Sequence, residues 1–216
     1  MKRRQFLRGA GAGLAANTVA TPAPALAQSQ PQIRWRMASS FPKSLDTLYG
    51  TAEQIGSRVS KLTDGRFEIR VFAAGEIVPA LQVLDAVQNG AIECGQTASY
   101  YYVGKNPALA FDTTLPFGMN CRQQNAWMYY GGGLELTREL FKQYNIVNFP
   151  CGNTGAQMAG WYRKEIKSVA DLKGLKFRIG GLGGQVLARL GVVPQQIGGP
   201  DIYPALEKGT IDAAEW

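Results

Sequence analysis

The sequence predicts an α/β protein with two successive runs of alternating strands and helices. Three observations support this. Short segments with an apolar residue at every second position alternate with segments whose apolar residues recur every three or four positions. Glycine, asparagine and proline separate them, and the alternation starts again near residue 145. Alternating strands and helices form parallel sheets layered with helices. We therefore expect two α/β lobes, which 216 residues can build.

The first 27 residues predict an export signal that is not part of the fold. Residues 2–8 are basic and precede a stretch rich in glycine and alanine, and residues 25–27 form a small-residue cleavage site. The paired arginines followed by Phe6 and Leu7 are typical of a twin-arginine signal. The apolar stretch is too short to span a bilayer. We expect export to the periplasm, by the twin-arginine route.

The net charge does not indicate a nucleic-acid partner. Removal of residues 1–27 lowers the formal charge from +7 to +3, so most of the excess belongs to the signal. The cysteines are Cys94, Cys121 and Cys151, an odd number without a C-x-x-C pair, which argues against a zinc site. One disulfide or three free thiols are both compatible with this set.

The first run predicts a lobe over residues 28–145. Strands are expected over 33–38, 66–72 and 91–96, with helices over 45–62 and 80–88 between them.

An aromatic cluster, residues 99–102, follows the third predicted strand. Ligands of open α/β sheets bind beyond the carboxyl ends of strands, which makes Tyr100 and Tyr101 candidate binding residues. Ordinary packing at an interface is the alternative. Two further helices are expected over 121–130 and 134–143.

The second run predicts a lobe over residues 146–216, with the crossover between lobes at about 145–155. Its expected strands lie over 145–150, 158–162, 175–179, 192–197 and 211–216, and its expected helices over 167–174, 185–190 and 200–209.

The strand over 175–179 carries the main candidate site residue, Arg178. Its apolar residues share one face, and Lys176 and Arg178 share the other. Arg178 ends the strand beside a glycine turn and a helix N-terminus, where anions are favoured. A guanidinium matches a carboxylate with two hydrogen bonds. We expect Arg178 to hold the carboxylate of a small organic acid; the alternative is the solvated face of an edge strand.

The residue inventory does not favour catalysis. The absence of histidine excludes the Ser-His-Asp triad, the Cys-His pair and imidazole metal ligands. The glycines at 180–184 do not complete a dinucleotide loop, because Val186 occupies the third glycine position.

Polar and aromatic residues at the ends of the predicted strands form a candidate binding site. Its carboxylate and side-chain amide together suggest an ion site. Glu215 and the amide oxygen of Gln157 are suitable ligands for a hard cation, and such a cation could bind a second oxygen of the acid. The full set is Tyr100, Tyr101, Asn153, Gln157, Arg178, Glu215 and Trp216.

Four segments resemble the extracytoplasmic solute-binding subunit of TRAP (tripartite ATP-independent periplasmic) transporters, in the branch that binds 2-oxo acids such as pyruvate. They are Phe41-Pro42, the Asp-Leu-Lys-Gly-Leu-Lys-Phe-Arg block at 171–178, residues 202–209 and the Ile-Asp-Ala-Ala-Glu-Trp segment at 211–216. The resemblance covers residues 33–216.

The resemblance implies a two-lobe periplasmic solute-binding protein that is not an enzyme. Arg178 would pair with the ligand carboxylate, while Gln157, Glu215 and the backbone carbonyl of Trp216 would hold a bridging Na⁺ or Ca²⁺. Asn153 with Tyr100 or Tyr101 would line the pocket.

The resemblance also implies membrane partner subunits and a homodimer formed through a terminal helix. Family members continue beyond the position of Trp216, so we expect a fold that is incomplete at the C-terminus. A periplasmic enzyme and a ligand-sensing domain on the same scaffold are the alternative functions.

Overall fold

Two separate β-sheets form the framework of residues 31–216, which are the residues that the computed structural model describes. The expected signal at residues 1–27 lies outside them. The α/β class is as predicted. The first sheet contains three parallel strands in the order β2-β1-β3, and two helices accompany it. Its elements are β1 (Ile33–Ser39), α1 (Tyr49–Leu62), β2 (Phe67–Phe72), α2 (Val83–Gln88) and β3 (Cys94–Gln96).

The register of this sheet aligns the carboxyl ends of its strands. Met37 of β1 pairs with Val71 of β2 on one side and with Cys94 of β3 on the other. A 3₁₀ turn, Ser99–Tyr102, follows β3 almost at once. The predicted aromatic cluster is therefore held beyond the strand ends.

Helical segments connect the two sheets. They are a 3₁₀ turn at Pro107–Ala110, α3 (Cys121–Tyr130) and α4 (Gly133–Lys142). Helix α3 begins with a capping box. The side chain of Asn120 accepts a hydrogen bond from the backbone amide of Gln123, and the side chain of Gln123 accepts one from the backbone amide of Asn120. Both helices lie where the sequence predicted them.

The predicted strand over 145–150 is wrong, because this segment is irregular. It packs against helices instead of pairing in a sheet. Ile146 lies against the core cluster that contains Phe141, and Nδ2 of Asn148 donates to Oγ1 of Thr137 at 3.0 Å.

The second sheet has four strands in the order β4-β7-β5-β6, of which only β4 runs antiparallel to its neighbour. Its elements are β4 (Trp161–Tyr162), a 3₁₀ turn (Val169–Leu172), β5 (Lys176–Arg178), α5 (Gly181–Ala188), β6 (Val193–Gln195), α6 (Gly199–Glu207) and β7 (Ala213–Ala214). The strands are shorter than predicted, and α5 begins four residues before the predicted start.

Each sheet has its own apolar core, and a third cluster lies beyond the strand ends. Ala38 and Val83 are buried beneath the first sheet, and Leu175 and Phe177 beneath the second. The third cluster includes Phe41, Tyr101 and Leu109, and Trp216 packs against it. Residues that follow strands of the two sheets therefore meet there. The boundary between lobes at 145–146 stays a prediction.

Two further observations concern the described residues. None of the helices in this part of the chain has the length and apolar character needed to cross a membrane. All three cysteines are free thiols.

Candidate functional site

The candidate site is built around Arg178, the last residue of β5. Its side chain is fully buried, whereas Lys176, two residues earlier on the same strand, is exposed. Arg178 therefore does not belong to a solvated face. Its Nε donates to the carbonyl of Ile197 at 3.2 Å, and its Nη1 donates to the carbonyl of Glu215 at 2.7 Å.

The remaining guanidinium nitrogen, Nη2, has no hydrogen-bond partner although it is buried. A buried donor without an acceptor costs about 1–3 kcal/mol. The other two nitrogens fix the plane of the group, so Nη2 presents its hydrogens in a defined direction. This nitrogen can donate to an anionic oxygen without breaking an existing contact.

Glu215 supplies the negative charge beside Arg178. Its Oε2 lies 3.3 Å from Nη1, and its amide donates to the Arg178 carbonyl at 2.9 Å, which extends the pairing of β5 with β7. Burial raises the pKa of Glu215 above its ordinary value, and the attraction of Arg178 opposes that change in part.

Two aromatic residues enclose the pair. The Trp216 ring centroid lies 4.8 Å from Cζ of Arg178, which is a cation–π contact, and the same ring meets Phe41 edge to face. Tyr100 packs against Tyr101 with 4.6 Å between ring centroids and a tilt of 58° between the ring planes. Burial is the largest cause of a raised pKa at Tyr100, whose hydroxyl also senses the charges of Arg178 and Glu215. The guanidinium of Arg178 is thus shielded from water.

Asn153 and Gln157 lie in a separate part of the site. Both are exposed and occupy an irregular loop, where Asn153 Oδ1 accepts from the Gly155 amide at 2.7 Å and Gln157 Nε2 donates to Thr154 Oγ1 at 3.3 Å. They line a cavity of about 340 Å³ together with Trp216.

Trp216 links the two parts of the site, because it touches Arg178 and also lines this cavity. Arg178, Glu215, Trp216 and Tyr100 lie together in one cluster. Asn153 and Gln157 are joined to that cluster through the indole and the shared cavity, with no direct hydrogen bond to Arg178 among the contacts of the described residues.

The Arg178 cluster and the cavity each offer an oxygen donor of the kind that hard cations prefer. Glu215 offers a carboxylate, and Gln157 uses its amide nitrogen for Thr154, which leaves the amide oxygen for a ligand. Residues 31–216 contain no cluster of three or more His, Cys, Asp or Glu side chains able to hold a metal. A site here would therefore depend on amide and carbonyl oxygens, which suit Na⁺ or Ca²⁺ more than a transition metal.

Two contributors to the site were not predicted. Ile197 accepts from Arg178 through its backbone, so its side-chain type carries no signal. Gln196 donates from its side chain to the Tyr101 carbonyl at 2.6 Å, across 95 positions of sequence.

Residues 38–216 match the model of the family described as bacterial extracellular solute-binding protein, family 7. A monocarboxylate 2-oxoacid-binding periplasmic protein of Nostoc sp. is 56% identical over 220 residues, covering 100% of this chain and 60% of that protein. The resemblance to TRAP solute-binding proteins is therefore confirmed.

Solved structures also match this chain. A TRAP transporter solute-binding protein from Bordetella bronchiseptica, a dimer with copurified calcium and picolinate at one active site, is 66% identical with a TM-score of 0.84. A protein from Pseudoalteromonas atlantica with bound sodium and pyruvate is 46% identical with a TM-score of 0.82. A protein from Colwellia psychrerythraea with bound calcium and pyruvate is 45% identical with a TM-score of 0.81.

Each of these comparisons covers 86% of this chain and 55% or 56% of the solved chain. The chain thus spans little more than half the length of the solved relatives. Their match confirms the predicted two-lobe α/β fold class. On the family match over residues 38–216, the chain belongs to the bacterial extracellular solute-binding proteins of family 7.

Proposed function

We propose that this protein is the periplasmic solute-binding subunit of a TRAP transporter and that it captures a small monocarboxylate, either a 2-oxo acid such as pyruvate or the 2-hydroxy acid lactate. The observation that carries the proposal is the unpartnered Nη2 of the fully buried Arg178. A carboxylate oxygen is the acceptor that would satisfy it, and a charge-assisted bond of this kind contributes about 1.5–3 kcal/mol.

The surroundings of Arg178 favour a small acid over a large one. Glu215, Ile197 and the Trp216 ring occupy the other sides of the guanidinium, so one direction remains for a ligand. The indole and the packed rings of Tyr100 and Tyr101 provide an apolar enclosure that strengthens an ion pair by excluding water. Tyr100, Tyr101 and Asn153 would line the pocket.

The cation belongs to the same proposal. Glu215, the amide oxygen of Gln157 and the backbone carbonyl of Trp216 would hold Na⁺ or Ca²⁺, which supplies a positive charge for a second ligand oxygen. Relatives with bound pyruvate contain one or the other ion. The residues of this chain would hold the acid and orient it, without chemical change to the ligand.

Delivery completes the proposed role. After the lobes close on the acid, the protein would pass it to the membrane subunits of the transporter. Export by the twin-arginine route, the lobe boundary at residue 145 and a homodimer of the full-length protein belong to the proposal as well.

Isothermal calorimetry with sodium pyruvate on the full-length gene product tests the assignment of Arg178. The Arg178→Lys variant keeps the charge but loses the planar fork, so its affinity is expected to fall on the order of 100-fold. Lys176→Gln removes an exposed charge from the same strand and is expected to bind as the wild type does.

Thermal unfolding of each variant checks that it is folded. If Arg178→Lys does not fold, Arg178→Met offers a similar volume without a buried charge and is expected to abolish binding. Pyruvate binding at wild-type affinity by a folded Arg178 variant would overturn the proposal.

A further inference from the structure

Residues that follow strands of the two sheets meet along a line of four glycines. We call Gly180, Gly181, Gly198 and Gly199 the glycine seam. All four belong to segments that follow β5 or β6. Gly180, Gly181 and Gly198 face residues of the first sheet's loops, and Gly199 faces the Trp216 ring and then Pro42.

The glycine seam permits an approach that other residues would prevent. A Cβ at Gly180 would lie 2.9 Å from Cε2 of Tyr100, and one at Gly198 would lie 3.0 Å from Cβ of Ala80. Such separations are below ordinary van der Waals contact. The missing side chains therefore set how closely the two groups of loops approach each other.

One side chain crosses this line with hydrogen bonds. Gln196 Nε2 donates to the Tyr101 carbonyl at 2.6 Å, and Gln196 Oε1 accepts from the Gly181 amide at 3.4 Å. The first bond reaches the 3₁₀ turn after β3, and the second reaches the start of α5. The side-chain amide of Gln196 thus connects the loop after β3 of the first sheet with the start of α5 beside the second sheet.

The tie lies beside the candidate site. Gln196 precedes Ile197, whose carbonyl anchors Arg178, and Tyr101 follows Tyr100, whose ring covers Gly180 and Gly181. We call the 3₁₀ turn Ser99–Tyr102 the aromatic turn. Breaking the hydrogen bond from Gln196 to Tyr101 would free the aromatic turn from the segment that orients the guanidinium of Arg178.

We propose that Gln196 is a positioning residue that latches the aromatic turn over the bound acid and thereby slows its release. The inference rests on the proposed function and adds a kinetic role to it. Gln196 acts through Tyr101 and Gly181, because its two hydrogen bonds go to those backbones. Changes to an interface usually alter the dissociation rate far more than the association rate, so loss of this bond is expected to speed release.

Stopped-flow fluorescence with sodium pyruvate and calcium tests the latch in the full-length gene product. Gln196→Ala is expected to raise the dissociation rate about three- to tenfold, with the association rate within twofold of wild type. The matched control is Gln195→Ala, because Gln195 pairs with Arg178 and Ile179 through its backbone.

A compensating pair tests the close approach separately. Gly198→Ala adds a methyl group against Ala80 and is expected to speed dissociation, since Gly198 has φ −65°, which alanine adopts without strain. Ala80→Gly in the same molecule removes the opposing methyl group and is expected to restore the wild-type rate.

Hydrogen exchange without ligand separates the latch from the proposed function. If the wild type binds no 2-oxo acid, the proposed function fails. The rate of amide hydrogen exchange then tests whether Gln196 holds the aromatic turn in place. Amides in residues 98–104 and 180–184 are expected to exchange faster in Gln196→Ala than in Gln195→Ala. Equal exchange in that case would overturn the latch.

Where the wild type does bind pyruvate, the dissociation rate decides. A rate for Gln196→Ala within twofold of wild type would overturn the inference. The inference would also be overturned if Gln196→Ala slowed association by the same factor as it sped dissociation and lost thermal stability. That result would indicate a merely structural role for Gln196.

Discussion

Arg178 donates to Glu215 twice from one nitrogen, to the backbone carbonyl at 2.7 Å and to the carboxylate oxygen Oε2 at 3.3 Å. The shorter bond depends only on the backbone, so it survives any substitution of the Glu215 side chain. The position of the guanidinium and its charge balance can therefore be changed independently.

We expect Glu215→Gln to change charge balance without displacing Arg178. In sodium-free, chelated buffer the guanidinium of this variant lacks its neutralising partner, so potassium pyruvate should bind the variant about tenfold more tightly than the wild type. Added Ca²⁺ should no longer increase the affinity for pyruvate, because the Glu215 carboxylate that is proposed to bind Ca²⁺ is gone. Calorimetry with and without Ca²⁺ measures both effects.

Glu207→Gln, on an exposed position of α6, is the matched control for this charge change. Its affinity and Ca²⁺ response should equal those of wild type. A full Ca²⁺ response in Glu215→Gln would contradict the proposed cation site.

Gln157→Glu tests the other side-chain ligand. A carboxylate at position 157, added to that of Glu215 in the proposed ligand set, should raise the affinity for Ca²⁺ about tenfold, since ligand charge sets calcium affinity. The measurement is a Ca²⁺ titration at saturating pyruvate. Gln123→Glu, on the exposed surface of α3, makes the same chemical change elsewhere and should leave the titration unchanged. Equal titrations for Gln157→Glu and wild type would remove Gln157 from the proposed set.

Asp112 makes the stability of the folded state dependent on pH. Ser99 Oγ donates to its carboxylate beneath the aromatic turn, and burial raises the pKa of Asp112 to about 6 from 3.8. The folded state therefore holds a proton that the unfolded state releases between about pH 4 and 6. Stability contributed by this proton is complete below about pH 4 and is lost as the pH rises through about 6, by on the order of 3 kcal/mol.

Urea unfolding at pH 4.5 and pH 7 measures this loss. Asp112→Asn stays neutral throughout and should remove this contribution to the pH dependence. Asp46→Asn is the control for loss of an acidic group in a loop of the first sheet. An unchanged pH dependence in Asp112→Asn would contradict the assignment.

Phe177 and Lys176 should differ sharply although they are neighbours on β5. Phe177 is fully buried in the core of the second sheet and its ring lies 5.4 Å from that of Tyr162, so Phe177→Ala should cost about 3–5 kcal/mol of unfolding free energy. Lys176→Ala should change it by less than about 0.5 kcal/mol, because the side chain is exposed. Denaturant titration distinguishes them, and similar values for the two variants would show that β5 is not packed as described.

Local periodicity predicted the first sheet well and the second less well. Strands β1 and β2 have seven and six residues, long enough for a clear alternation. The strands of the second sheet have two or three residues, too few for a period to appear. Helix α5 begins within the glycines because Gly184 packs against Ile179 and Pro194, and this packing overrides the low helix propensity of glycine.

The candidate site shows a similar division. The position of Arg178 at a strand end could be read from the sequence, but alternation alone would place it beside the exposed Lys176. Its burial results from Glu215, Trp216 and Ile197, which approach from other elements. The role of Gln196 depends on a contact with Tyr101, which no local pattern encodes.

Strand β7 lies between β4 and β5, so both of its edges are paired. Glu215 follows that strand directly and is bonded to the backbone of Arg178. An ion held by Glu215 and an acid held by Arg178 would thus share one rigid support. Thermodynamic linkage then requires reciprocity: if sodium or calcium tightens the hold on the acid by some factor, the acid must tighten the hold on the ion equally. Under the proposed function, the ion composition of the periplasm would set how much of the acid the protein retains.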